Sequence, residues 1–128
     1  MSAMSDFLEL EVLDHILGTG AYTMPSNVYI GLSTGSFGDD NSGTELSGSG
    51  YARQAATCAA AASGSAATNA TVNFPTATGS WGAVSHWGLF DASSSGNLLI
   101  HGAFAASKTI ASGDVMRINS GDLTVPAA

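Results

Sequence analysis

After Gly18 the hydrophobic period of this sequence changes from three-to-four residues to two, and it does not change back. That switch restricts the chain to one helix followed by strands. Ahead of it, "SDFLELEVLDHIL" (residues 5–17) places Phe7, Leu10, Leu13 and Leu17 at three- and four-residue steps, flanked by Val12 and Ile16. Ser5 suits the N-cap, Asp6 and Glu9 lie where the helix dipole favours anions, and Gly18 suits the exit. A lone amphipathic helix of this length needs a surface for its stripe, either its own sheet or a neighbouring subunit.

Beyond the helix, "NVYIGLS" sets Val28, Ile30 and Leu32 against Tyr29 and Gly31. "YARQAATCA" reads as a second strand, and "TVNF" as a short one stopped by Pro75. "AVSHWGLFD" alternates Val84, His86, Gly88 and Phe90 on one face with Ala83, Ser85, Trp87 and Leu89 on the other. "LLIHGAF" sets Leu98, Ile100 and Phe104 against Leu99, His101 and Ala103. Short strands are expected at 108–110, 115–118 and 123–125, with an "SGD" turn before each of the last two. About seven or eight short strands between Gly-rich turns predict an all-β fold. The expected form is a small antiparallel β-sandwich or jelly-roll-like domain. Residues 1–20 would be a helical arm and 21–128 the sandwich body of a single domain.

Large side chains are few, so Trp81, Trp87, Leu89, Phe90, Leu98, Ile100 and Phe104 are the expected core and packing groups. Residues 34–50 hold five glycines and no sustained period. A loop this long in a small domain is usually functional or mobile. Phe37, Asp39 and Asp40 within it, with Phe7, Leu10, Leu13 and Leu17 of the helix, are the candidate contacts to a partner or a second copy.

Charge excludes several functions. Charged residues make up 10% of the chain and the net charge is −7, with Arg53, Lys108 and Arg117 the sole strong cations. Nucleic-acid binding draws on clustered Lys and Arg, and so does attachment to anionic membranes, so neither is expected. The amino terminus lacks a basic start and an apolar run, and no window approaches a membrane span of ~20 apolar residues. The chain is therefore expected to be made in the cytosol and to stay soluble. Cys58 has no internal disulfide partner and is expected to be a small apolar filler.

No motif for chemistry stands out. His86 and His101 fall on consecutive strands, but two imidazoles are too few for a metal site. They are expected to hydrogen-bond backbone or hydroxyl groups at the sheet edge. There is no G-x-S-x-G and no nucleotide-binding glycine signature. Asp39, Asp40, Glu45, Asp91, Asp114 and Asp122 lie in turns, not paired on facing strands as glycoside hydrolysis requires. "DDNSGTE" (39–45) alternates oxygen ligands but lacks the sixth-position glycine and distal glutamate of an EF-hand, so it reads as a solvated acidic loop. No catalytic residue, metal or cofactor is expected.

Taken in order, "SDFLELEVLDHILG", "VYIGLST", an acidic Gly-rich loop, "GYAR", "FPTATGSWG", "HWGLFDA", "GNLL", "KT", "SGD" and "LTV" resemble a family of small virion structural proteins of tailed bacteriophages, generally described as tail-fibre proteins. "FPTATGSWG" followed by "GLFD" is the specific part. The second Trp of "HWG" and the Ala-rich stretch after Cys58 depart from the pattern. The resemblance implies a phage-particle component, assembled in the host cytoplasm, with no catalytic residues. No shaft repeats are visible, which favours a capsid decoration (cement) protein, a homo-oligomer, expected as a trimer, seated over junctions of the major capsid protein. The rival is a tail-fibre or tail-tip protein that binds the host surface, with a ligand face built from Trp81, Trp87 and Tyr51. A glycan hydrolase is the third reading and lacks the paired acids.

Overall fold

A computed structural model describes residues 2–126. In chain order the elements are β1 (Ser2–Met4), α1 (Asp6–Leu17), β2 (Val28–Ser33), β3 (Gln54–Ala56), β4 (Ser65–Ala67), β5 (Val72–Asn73), β6 (Gly82–Phe90), β7 (Leu98–Ile110), β8 (Arg117–Ile118) and β9 (Thr124–Pro126). The fold is all-β with one short amino-terminal helix. One antiparallel sheet has the order β1-β7-β6-β2-β3, and two ribbons pair β4 with β9 and β5 with β8. Among the described residues the strands outside the large sheet form ribbons, not the second full sheet that a jelly roll requires.

The main core lies between one face of the sheet and the chain that carries the β5/β8 ribbon. Ile30, Leu32, Val84, Trp87 and Leu89 meet Val72, Phe74, Met116, Ile118 and Leu123 there. Trp81 joins them, edge-on to Tyr51 at 5.5 Å, and Tyr51 stacks on Phe74 at 6.4 Å. The Trp81 indole N–H donates to the Ser49 carbonyl (2.9 Å), so its polar edge is satisfied. Phe37, Phe90 and Leu98 form a second cluster on the opposite face.

Two register shifts decide which residues reach which cluster. In the β6/β7 hairpin Val84 pairs with Lys108 but His86 with Ala103, and Leu89 pairs with Ile100 but Phe90 with Leu98. Each irregularity resets the alternation. Val84 therefore joins Trp87 and Leu89 in the main core, not His86 and Phe90 as strict alternation predicts. Leu98 joins Phe90, while Ile100 and Phe104 pack against the main core. The strand expected at 108–110 is the end of β7, which runs unbroken for 13 residues.

The helix begins at Ser5, whose side chain accepts from the Leu8 N–H at 3.2 Å. The same hydroxyl donates to the Leu98 carbonyl, and the Ser5 N–H donates to the Leu99 carbonyl at 2.8 Å. These bonds fix the rotation of α1: Leu8 is buried, and Phe7, Glu11 and Val12 are half-buried. Leu10, Leu13 and Leu17 point outward and do not pack on the sheet of their own chain. Gly18 closes the helix in the left-handed conformation (φ 77°). Replacing Ser5 with Ala removes the cap and a bond to the sheet together. We expect the urea midpoint to fall by the equivalent of about 1–2 kcal/mol, as for other lost N-caps.

Candidate functional site

The 34–50 segment folds back onto the sheet. The Ser33 hydroxyl donates to the Thr44 carbonyl (2.6 Å), and the Leu46 N–H donates to the Leu32 carbonyl (2.9 Å). At Gly43 a Cβ would stand 2.1 Å from the Ser36 carbonyl oxygen, so the turn closes only on glycine. This folding buries Phe37 to 1% exposure, edge-on to Phe90 at 5.6 Å. Phe37, expected from the sequence to contact a partner, is instead a core residue of the second cluster. It is the one large apolar side chain in the first half of the loop, and burying it offsets the entropy of ordering the glycines.

Beside it lies a polar network that sequence spacing did not signal. Arg53 grips Glu45 with two bonds, Nη2 to Oε1 at 2.7 Å and Nε to Oε2 at 2.8 Å. The side chains are 8% and 22% exposed. Arg53 Nη1 also donates to the carbonyls of Ala92 (3.0 Å) and Ser95 (2.7 Å), and the guanidinium lies 3.6 Å over the Phe90 ring. The Tyr51 hydroxyl donates to Glu45 Oε2 (2.5 Å) and accepts from the Leu32 N–H (2.9 Å). Burial, and then the bond to Glu45, push the Tyr51 phenol well above its ordinary range. A cavity of about 330 Å³ adjoins the network, rimmed by Ser93, Ser94 and Ser95. Because the polar groups are turned onto one another, the network joins loop to sheet.

Asp39, His101 and His86 are engaged in the same way. His101 Nε2 meets Asp39 Oδ1 at 2.7 Å, and the Asp39 carbonyl accepts from the Asp6 N–H at 2.8 Å. Asp39 thus joins the loop to β7 and to the start of α1. Asp40 is exposed, and hydrogen bonds from Ser42 hold its carboxyl below the usual range. His86 Nδ1 lies 2.7 Å from the Ser85 hydroxyl. The histidines therefore have separate partners, a hydroxyl for His86 and a carboxylate for His101. Among the described residues no group of three or more His, Cys, Asp or Glu could hold a metal. Cys58 is exposed at an isolated bridge to Thr68, in the small-residue tract beyond β3, and is not the buried filler expected.

Trp81, Trp87, Leu89, Phe90 and Leu98 are buried, and Ile100 and Phe104 are half-buried. Burial of both tryptophans removes the aromatic ligand face expected from Trp81, Trp87 and Tyr51. The candidate surface that remains is α1. Leu10, Leu13, Ile16 and Leu17 form an exposed apolar ridge, with Asp6, Glu9 and Asp14 exposed on the same helix. Sequence spacing marks the ridge but cannot say which way it faces; the bonds of Ser5 decide that.

The family described as Podophage GP4 fiber I protein gp80 matches residues 3–126, which span β1 to β9. No curated protein matches the chain.

Two outcomes test the network. Replacing Glu45 with Gln leaves Arg53 without a counter-charge at a mostly buried position and is expected to cost about 2–3 kcal/mol in urea unfolding, below the cost at a fully buried pair. The folded state holds the Tyr51 proton more tightly than the unfolded state, whose phenol titrates near its ordinary value of 10.0. Stability from this source is therefore complete below pH about 10 and falls as pH rises above it. Tyr22 is pushed the same way, by burial first and then by Asp91 and Glu11. Unfolding followed from pH 8 to 11 is expected to show that fall, and Tyr51→Phe to flatten it.

Proposed function

The chain belongs to the Podophage GP4 fiber I protein gp80 family, and from that premise we propose that it is a subunit of a podophage tail fibre that binds the surface of the bacterial host. As a member of a phage fibre family it is a virion structural component. The extent of the match carries the reading: residues 3–126 take in the arm, the sheet and both ribbons, so the fibre assignment attaches to the whole fold. Capsid decoration over the major capsid protein has no comparable support and gives way to the fibre. The partners are accordingly other tail proteins and further copies of this chain, with a trimer as the proposed assembly.

The function is attachment, not catalysis. Aspartates that could serve an enzyme are engaged in turns: Asp91 accepts from the Asn97 N–H (2.7 Å) and Asp114 from the Ala111 N–H (2.9 Å). Cys58, the single and exposed cysteine, gives a position for a fluorescent label. Labelled chain is expected to bind host cells, and excess unlabelled chain to slow phage adsorption. Immunogold on whole virions should mark the tail. Gold distributed over the head at hundreds of copies, with no binding to cells, would restore the capsid reading and remove this one.

A further inference from the structure

We propose that copies of this chain join head to tail, with the ridge of α1 in one copy seated in an apolar cleft at the far end of β7 in the next. The inference rests on the reading that the chain self-associates, and not on what the fibre grips. The ridge leaves Leu10 64%, Leu13 54%, Ile16 72% and Leu17 71% exposed. Its helix carries Asp6, Glu9, Glu11 and Asp14, with no Lys or Arg. Packing two such helices together along Leu10, Leu13 and Leu17 would set Glu9 of one against Asp14 of the other, a like-charge pairing at the flanking positions. The sign of the charge therefore argues against a second helix as the occupant and for a basic apolar surface.

The chain itself has one. A cleft of about 270 Å³ is lined by half-buried Phe104 and exposed Ala105 and Ala106 above the core residues Val84, Met116 and Ile118, and rimmed by Lys108 and Arg117, with Asp122 also present. The chain has three strong cations, and the third, Arg53, is already paired with Glu45. Arg117 Nε donates to the Asn73 side-chain oxygen (2.9 Å), which positions its charge without neutralising it. In a molecule of net charge −7, both remaining cations thus border the same cleft, which has room for leucine-sized side chains.

A helix cannot reach the cleft of its own copy. Ser5 is bonded to Leu98 and Leu99, at the end of the hairpin where Leu98 pairs with Phe90. Past Gly18 the chain returns to that same end, where Tyr29 also pairs with Phe90. Phe104 and Lys108 lie six to ten residues further along β7, about 20–30 Å away at ~3.3 Å per residue. Ridge and cleft are therefore at opposite ends of the sheet. Among the described residues the pairing of β1 with β7 runs from Ile100 to Gly102, and no other strand pairs with that edge of β7 alongside the cleft. A contact of this kind is heterologous: it closes into a ring, of which a trimer is one, or grows as a filament.

The test uses the full chain in sedimentation velocity. Leu13→Asp with Leu17→Asp disables the ridge, and Lys108→Glu with Arg117→Glu reverses the cleft. All four positions are exposed, so both variants are expected to keep the parent circular dichroism and melting profile. The parent is expected to be oligomeric and to loosen as salt is raised. Each double variant should be a monomer, and an equimolar mixture of the two should give a dimer that grows no further, because each supplies the half the other lacks. A mixture that stays monomeric up to millimolar concentration overturns the head-to-tail contact. So does an oligomer that survives in both variants, which leaves self-association standing. A parent chain that is monomeric at every concentration overturns both.

Discussion

Trp87, Gly88, Leu89 and Phe90 of β6 are all buried, so both faces of that strand must be covered for the domain to exist. On one side the cover is the chain bearing the β5/β8 ribbon, which brings Val72, Phe74, Met116 and Ile118. On the other it is the 34–50 loop, which brings Phe37. With so few charged residues, stability rests on this double covering and on close approach between backbones. Gly31 illustrates the second requirement. A Cβ there would stand 2.8 Å from the Phe90 ring and 2.9 Å from Glu45, so the polar network and the aromatic cluster share one glycine-sized space. The Glu45–Arg53 pair then clamps the loop whose departure would expose Phe90.

Much of this was legible in the sequence. The helix, its cap at Ser5 and its stop at Gly18 follow from spacing and residue type, as do β2 and the β6/β7 hairpin. What escaped has identifiable causes. The period-two pattern is blind to the shifts at Val84/His86 and Leu89/Phe90, because a bulge changes which face a residue takes without changing its identity. Elements of three residues such as β1 and β4 are too short to carry a period and are defined by the partners they meet. Glu45 and Arg53 are eight residues apart in irregular chain, where no repeat could announce the pair. Phe37 did leave a trace, as a lone aromatic among glycines, but that pattern suits a buried plug and an exposed contact equally well.

The same physics separates charges that are paired within the fold from charges that stand exposed. Glu45 and Arg53 spend their charges on each other, Asp39 engages His101, and Asp91 and Asp114 close turns. The helix is different: Asp6, Glu9 and Asp14 stand exposed on an element that also displays four large apolar side chains.

The position of Ser5 has a mechanical consequence. One residue caps the helix, bonds to two consecutive carbonyls of β7 and follows directly on the edge strand. A tension applied to α1 therefore enters the sheet at a point where several bonds share the load, reinforced by the Asp6 link to the Asp39 carbonyl. Because β1 runs antiparallel to β7, a pull along the strand axis shears their ladder as a unit, whereas a pull across it peels the pairs in succession. The direction of an applied pull therefore decides which of the two this joint resists.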